Sequence, residues 1–118
     1  MDDGRPLFQQ IAEQIEGAIL DGSLVADSQV PSTNELAAFH RINPATAAKG
    51  INQLVTDGIL YKKRGIGMFV ATDARERVLE RRRAAFGRDF VAPLLAEARR
   101  LGLSADDVKK LMEKGGQG

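Results

Sequence analysis

Two helix starts lie close together in this chain, and their spacing limits what the stretch from Pro31 to Val70 can become. Ser32-Thr33-Asn34-Glu35 is a capping box, in which the Ser32 hydroxyl and the Glu35 carboxylate each take one orphan amide of a helix start. Asn43-Pro44 then pairs a strong N-cap with a favoured first helical residue, and Gly58 suits the stop. The first of these helices therefore has room for about two turns, too few to be stable without packing on neighbours. Pro31 holds Val30 extended and blocks any helix running in from before it. Beyond the second helix, Ile59-Leu60-Tyr61-Lys62-Lys63 and Ile66 to Val70 read as two strands around Arg64-Gly65, with Leu60, Phe69 and Val70 facing inward. Gly65 and Gly67 let the tip turn tightly. The stretch is thus two short helices joined by His40-Arg41-Ile42, followed by a hairpin with Lys62, Lys63 and Arg64 at its tip.

The two faces of the second helix differ sharply. Ala47, Ile51, Leu54 and Val55 form an inner stripe, while Ala45, Thr46, Lys49, Asn52 and Gln53 point out. Ala45 and Ala48 are small enough for close approach to a groove floor, and Thr46, Asn52 and Gln53 can exchange hydrogen bonds with base edges. Lys49 can reach a phosphate or a guanine. On the shorter helix, Leu36, Ala37 and Phe39 are expected inside, with Ile42 anchoring the turn. Its free first-turn amides suit a phosphate. A solvated helix face looks much like this, and a basic hairpin tip often serves only solubility. Placed directly after two such helices, the hairpin becomes a wing whose cations grip phosphates or enter a minor groove.

Charge distribution supports this reading more than total charge does. Residues 1–73 carry six Lys/Arg against nine Asp/Glu, whereas residues 74–118 carry eleven against seven. Within 41–64, Arg41, Lys49, Lys62, Lys63 and Arg64 face one acid, Asp57. A local basic strip on an acidic domain predicts modest non-specific affinity for nucleic acid. Cysteine is absent and His40 is the one histidine, so a thiolate site, a Cys nucleophile and a histidine metal cluster are all excluded. No metal or cofactor is expected, and neither a Ser/His/Asp set nor a phosphate cradle points to an enzyme. No apolar run approaches the ~18 residues of a membrane span. Met1-Asp2-Asp3-Gly4-Arg5 lacks the apolar segment of a signal peptide, so a cytoplasmic location, at the nucleoid when bound, is expected.

The flanks read as support and handle. Residues 5–21 form an amphipathic helix with Leu7, Phe8, Ile11, Ile15, Ala18 and Ile19 on one stripe and Glu13, Gln14 and Glu16 outside. Leu24 to Val30 is a connection with turn chemistry at Asp27-Ser28 and a short strand at Gln29-Val30. Residues 74–101 follow a long helical pattern in which Val78, Leu79, Phe86, Phe90, Leu94, Leu95, Ala98 and Leu101 track one side. Pro93 should kink or divide this helix. Gly102 stops it, Ser104 to Asp107 caps another start, and Lys114 to Gly118 reads as a frayed end. A second copy is the economical cover for so much apolar stripe, and folding back on the first helix of the same chain is the alternative. The expected fold is mainly α with a small β-hairpin: a winged helix-turn-helix over 1–73 and helical dimerisation elements over 74–118.

Several of these pieces together resemble the GntR winged-helix repressors, most closely their small YtrA-type subfamily. Pro6 to Ile11 resembles the family's opening helix, and Val30-Pro31-Ser32 with Glu35-Leu36-Ala37 the start of its second. Asn43-Pro44-Ala45-Thr46 with Lys49 resembles the recognition-helix start; Leu54, Gly58 and Ile59-Leu60 its end; Arg64 to Gly67 with Phe69-Val70 the wing. The resemblance covers roughly 6–70. Asn34 stands where the family usually has a DNA-contacting Arg, Met68 where it has Thr, and Gly50 where it has Ala, the last at ~1 kcal/mol of helix propensity.

The resemblance implies a sequence-specific transcriptional regulator, in the first place a repressor, reading an inverted-repeat operator as a homodimer. Thr33, Asn34, Arg41, Lys49, Lys62 and Arg64 are expected on phosphates and Ala45, Thr46 and Lys49 at base edges, with Ser32, Asn43, Gly65 and Gly67 completing the expected DNA-binding set. Phe86, Phe90, Leu94, Ala98 and Leu101 are the expected pairing face. Regulation by a signal is also implied; a small-molecule effector is expected between tail and winged domain, near Phe86, Phe90 and Leu94. The competing reading is a protein-interaction module whose tail, carrying Arg81-Arg82-Arg83, docks a different chain.

Overall fold

The computed structural model of the chain describes residues 5–115. Met1 to Gly4 and the last three residues of the expected frayed end lie outside them. The described residues form helices α1 (Leu7–Leu20), α2 (Thr33–His40) and α3 (Pro44–Thr56), then strands β1 (Leu60–Lys63) and β2 (Gly67–Val70). Helix α4 (Ala74–Phe86), a π-helical segment (Gly87–Val91), α5 (Ala92–Arg100) and α6 (Ala105–Gly115) follow. No helix among the described residues is long and apolar enough to cross a membrane. Two compact units divide between Glu80 and Arg81, within α4.

The first unit is built around α3. Ala47, Ile51 and Leu54 are buried against Ile11, Ile15 and Ile19 of α1, Leu36 and Ala37 of α2, and Ile59, Leu60 and Val70 of the hairpin. Ala74 and Val78 join this same core. Val78 therefore belongs to the winged unit and not to the tail stripe, which moves the compact unit's edge past the start of α4.

The α1–α3 contact explains one apparent cost in the sequence. A Cβ on Gly50 would stand 2.7 Å from the Phe8 carbonyl oxygen and 3.4 Å from Ile11 Cβ. The two helices approach so closely that alanine does not fit between them.

Leu7, expected on the apolar stripe of α1, is exposed, and two further burial expectations are corrected. Glu16, expected outside, is 5 % exposed: Ala12, Glu16 and Ile19 share one line of α1, and all three are buried, so its covered face is wider than the apolar stripe. Phe39, expected inside, is 82 % exposed. Helix α2 ends before another inward residue is needed. The chain turns at Arg41, the Arg41 amide donates to Ala38 O and the Ile42 amide to Ala37 O, and Ile42 fills the inward position.

Both capping boxes form. Ser32 N–H donates to Glu35 Oε1 at 3.0 Å and Glu35 N–H to Ser32 Oγ at 3.1 Å. These bonds, the backbone one first, hold the Glu35 carboxyl below its ordinary pKa. In the second unit, Ser104 and Asp107 make the same pair of bonds at the start of α6. Pro93 is accommodated without a break: the preceding turn widens to π geometry, with the Ala92 amide reaching Gly87 O. Ala98 on α5 and Val108 on α6 are buried where those helices meet.

Candidate nucleic-acid interface

The start of α3 has its backbone fully occupied. Pro44 has no N–H, Ala45 N–H donates to Asn43 Oδ1 at 2.8 Å, and Thr46 N–H donates to Asn43 O at 2.9 Å. A ligand at this helix end must therefore meet side chains. Ala45 and Lys49 are exposed and Thr46 is half-buried, on the side away from Ala47, Ile51 and Leu54. Asn52 is exposed as well, while the Gln53 amide is tied along the helix to Asp57 Oδ1 at 3.2 Å. The Lys49 ammonium rests 4.1 Å from the centroid of the Phe8 ring.

Helix α2 presents the opposite arrangement. Its capping box takes the amides of Ser32 and Glu35, and helix geometry gives Thr33 and Asn34 no acceptor for theirs. Asn34 is exposed and Thr33 half-buried, so the first turn offers amides and polar side chains at the positive end of the helix dipole.

Arg41 occupies the left-handed position that ends α2, at φ 55. The same pair of closing bonds ends α3 and α5, where Gly58 (φ 76) and Gly102 (φ 70) hold the corresponding place. An arginine there carries a backbone cost that glycine avoids, and its side chain is exposed. Arg41→Gly is accordingly expected to raise stability by up to about 1 kcal/mol in urea denaturation.

The wing is a tight hairpin. Leu60 pairs with Val70, Tyr61 with Phe69, Lys62 with Met68 and Lys63 with Gly67. Ile66 N–H closes the turn onto Lys63 O at 2.9 Å, with Gly65 at φ 78 where a type II turn needs a positive angle. Lys62, Arg64 and Gly65 are exposed. Lys63 instead lies over the Phe69 ring, 4.3 Å from its centroid. Met68 packs against the core, so an apolar residue is suited to that place.

Asp27 and Gln29, read in the sequence as turn and short strand, make side-chain bonds that no local pattern foretells. Asp27, at φ 64, accepts from the Tyr61 hydroxyl at 2.9 Å and from the Thr72 hydroxyl at 3.4 Å, tying the loop before α2 to the base of the hairpin. That bond to Asp27, with some burial, pushes the Tyr61 hydroxyl above its ordinary pKa. Gln29 reaches the hairpin tip itself. Partners separated this far in sequence leave no local periodicity to find.

In the tail, Phe86 and Phe90 are exposed and their rings lie 5.7 Å apart. Leu94, Ala98 and Leu101, with Leu103, Val108 and Leu111, line a concavity of about 490 Å³ inside the second unit. Phe86 and Phe90 are not among its lining residues. Among the described residues no group of His, Asp or Glu could hold a metal.

Comparison with known proteins gives this geometry a context. Residues 7–70 match the family model described as bacterial regulatory proteins, gntR family. The transcriptional repressor NagR of Bacillus subtilis is 35% identical over 75 residues, which are 64% of this chain and 31% of NagR. The repressor YtrA of the same organism is 31% identical over 75 residues, covering 64% of this chain and 58% of YtrA. The matched region thus spans between about a third and three fifths of these relatives. A putative GntR-family regulator from Bacteroides thetaiotaomicron superposes with a TM-score of 0.81 at 29% identity, covering 94% of this chain and 96% of that one. The DNA-binding domain of AraR, solved in complex with its operator ORX1, is 34% identical with a TM-score of 0.56, over 60% of this chain and 86% of that one.

Proposed function

Because the chain belongs to the GntR family of bacterial regulatory proteins and is of the YtrA type, we propose that it represses transcription by binding an inverted-repeat operator as a homodimer. Its family and the repressors among its relatives support a transcriptional regulator over an enzyme. The observation that carries the finer reading is the start of α3. Its backbone is internally satisfied, and the small or polar side chains of Ala45, Thr46 and Lys49 face away from the core. On this reading α3 enters the major groove, where those side chains meet base edges. The first turn of α2, with Ser32, Thr33 and Asn34, binds one phosphate run, helped by Asn43 and Arg41. Lys62, Arg64, Gly65 and Gly67 follow the neighbouring backbone or minor groove.

The exposed apolar face of Phe86, Phe90, Leu94 and Leu101 pairs two copies, which aligns two copies of α3 on a two-fold operator. An apolar small molecule acting as effector takes a site on this tail, which lets a signal alter the pairing. The protein works in the cytoplasm, at the nucleoid when bound. Docking of a different protein by the tail is the weaker reading, since the relatives are repressors.

Selection of bound duplexes from a random pool by the full chain tests this. An inverted repeat is expected to emerge, with the logarithm of affinity falling linearly with the logarithm of salt concentration, at a slope of about −0.9 per phosphate neutralised. Failure to enrich any sequence would sink the proposal.

A further inference from the structure

The hairpin tip has a brace outside the hairpin. The β1–β2 ladder ends at the Lys63–Gly67 pair, so Arg64, Gly65 and Ile66 lie beyond it. The loop before α2 runs along the other edge of β2: Val30 N–H donates to Met68 O, Val70 N–H to Ser28 O, and Asp27 N–H to Val70 O. These bonds fix the base of the wing and stop short of its tip. Gln29, which bridges to Phe69, continues the contact with its side chain. Its Nε2 donates to the Ile66 carbonyl at 3.1 Å. The same nitrogen lies 2.6 Å from where a Cβ on Gly67 would stand, so the bare, positive-φ glycine makes the space that this amide fills.

We propose that Gln29 is a positioning residue for the wing, whose amide fixes where Arg64 and Gly65 stand without itself touching DNA. This rests on the DNA-binding reading above. A three-residue tip carrying a long cation loses conformational freedom on binding, and a tip already held in place loses less. Gln29 is exposed, so replacing it leaves the core intact.

The test is a cycle on the full chain: Gln29→Ala, the wing-neutral pair Lys62→Ala with Arg64→Ala, and all three together. The probe is the duplex that the wild-type chain selects from a random pool, and backbone amide relaxation of Arg64, Gly65 and Ile66 is measured alongside. Gln29→Ala is expected to weaken binding about five- to tenfold, to loosen the three tip amides, and to leave the melting temperature within about 2 °C. In the wing-neutral background its effect should shrink below about twofold. Gln29→Glu, which sets a carboxylate against the Ile66 carbonyl, should lose at least as much as Gln29→Ala. A loss that persists in the wing-neutral background would mean direct contact with DNA and overturn the proposal, as would unchanged affinity or tip amides as ordered as in the wild type. If the wild-type chain selects no duplex, the DNA-binding reading fails by itself. The tip amides then still decide whether Gln29 braces the hairpin.

Discussion

Replacing Phe90 and Leu94 together with aspartate is expected to cost about 100-fold or more in affinity for the selected inverted repeat while leaving the winged unit folded. Neither residue contributes to the core around α3, so that unit has no reason to unfold. Phe90 is 65 % exposed and Leu94 43 % exposed in the single chain. Covering both in a dimer contributes the transfer free energy of apolar surface, and two facing aspartates would bring like charges into the same seam. The loss in affinity follows from linkage. A paired second half-site raises the effective concentration of the other, and avidity of about 100- to 10,000-fold disappears with it. Sedimentation would show the change in mass, and titration with the duplex the change in affinity. A variant that remains a dimer would remove this face from the pairing seam.

Gly50→Ala should destabilise the protein by about 1–3 kcal/mol, against what helix propensity predicts. Propensity alone favours alanine by about 1 kcal/mol inside a helix. The new Cβ, however, would sit 2.7 Å from the backbone oxygen of Phe8, which cannot rotate away as a side-chain tip could. Helix α1 must move, and the Phe8 ring beneath Lys49 moves with it. Gly17 supplies the control. It lies within α1 with nothing inside 4 Å of an added Cβ, so Gly17→Ala should stabilise by about 0.4–1 kcal/mol. Urea denaturation of both variants gives the two signs. If Gly50→Ala stabilises as Gly17→Ala does, the close α1–α3 contact is not the reason for glycine at that position.

The features legible in the sequence are those set by neighbours in the chain. The box at Ser32 and Glu35, the Asn43-Pro44 start, the Gly58 stop and the Gly65 turn each depend on residues within a few positions, and each forms as read. The inner stripe of α3 was legible because its period is that of a helix. Contacts between distant segments were not legible. Gly50 looked like a weakness because Phe8, its partner, is a helix away. Phe39 looked inward because a period assigns faces without knowing where the chain will turn, and the left-handed Arg41 gives that place to Ile42. The Asp27–Tyr61 and Gln29–Ile66 bonds join residues brought together only by the fold. The α3 side chains expected at base edges lie on the side of the helix away from the core. Their meeting with DNA is the part read at the groove floor.

Methylation protection of guanines on the selected duplex addresses that part most directly, because the reagent attacks guanine N7 on the major-groove floor where α3 is expected to lie. The account predicts two protected patches related by a dyad, their centres about 10 base pairs apart or a multiple of that. Protection should weaken in both patches when Thr46 and Lys49 are replaced by alanine. A single patch without symmetry, or strong binding with no major-groove protection, would contradict it.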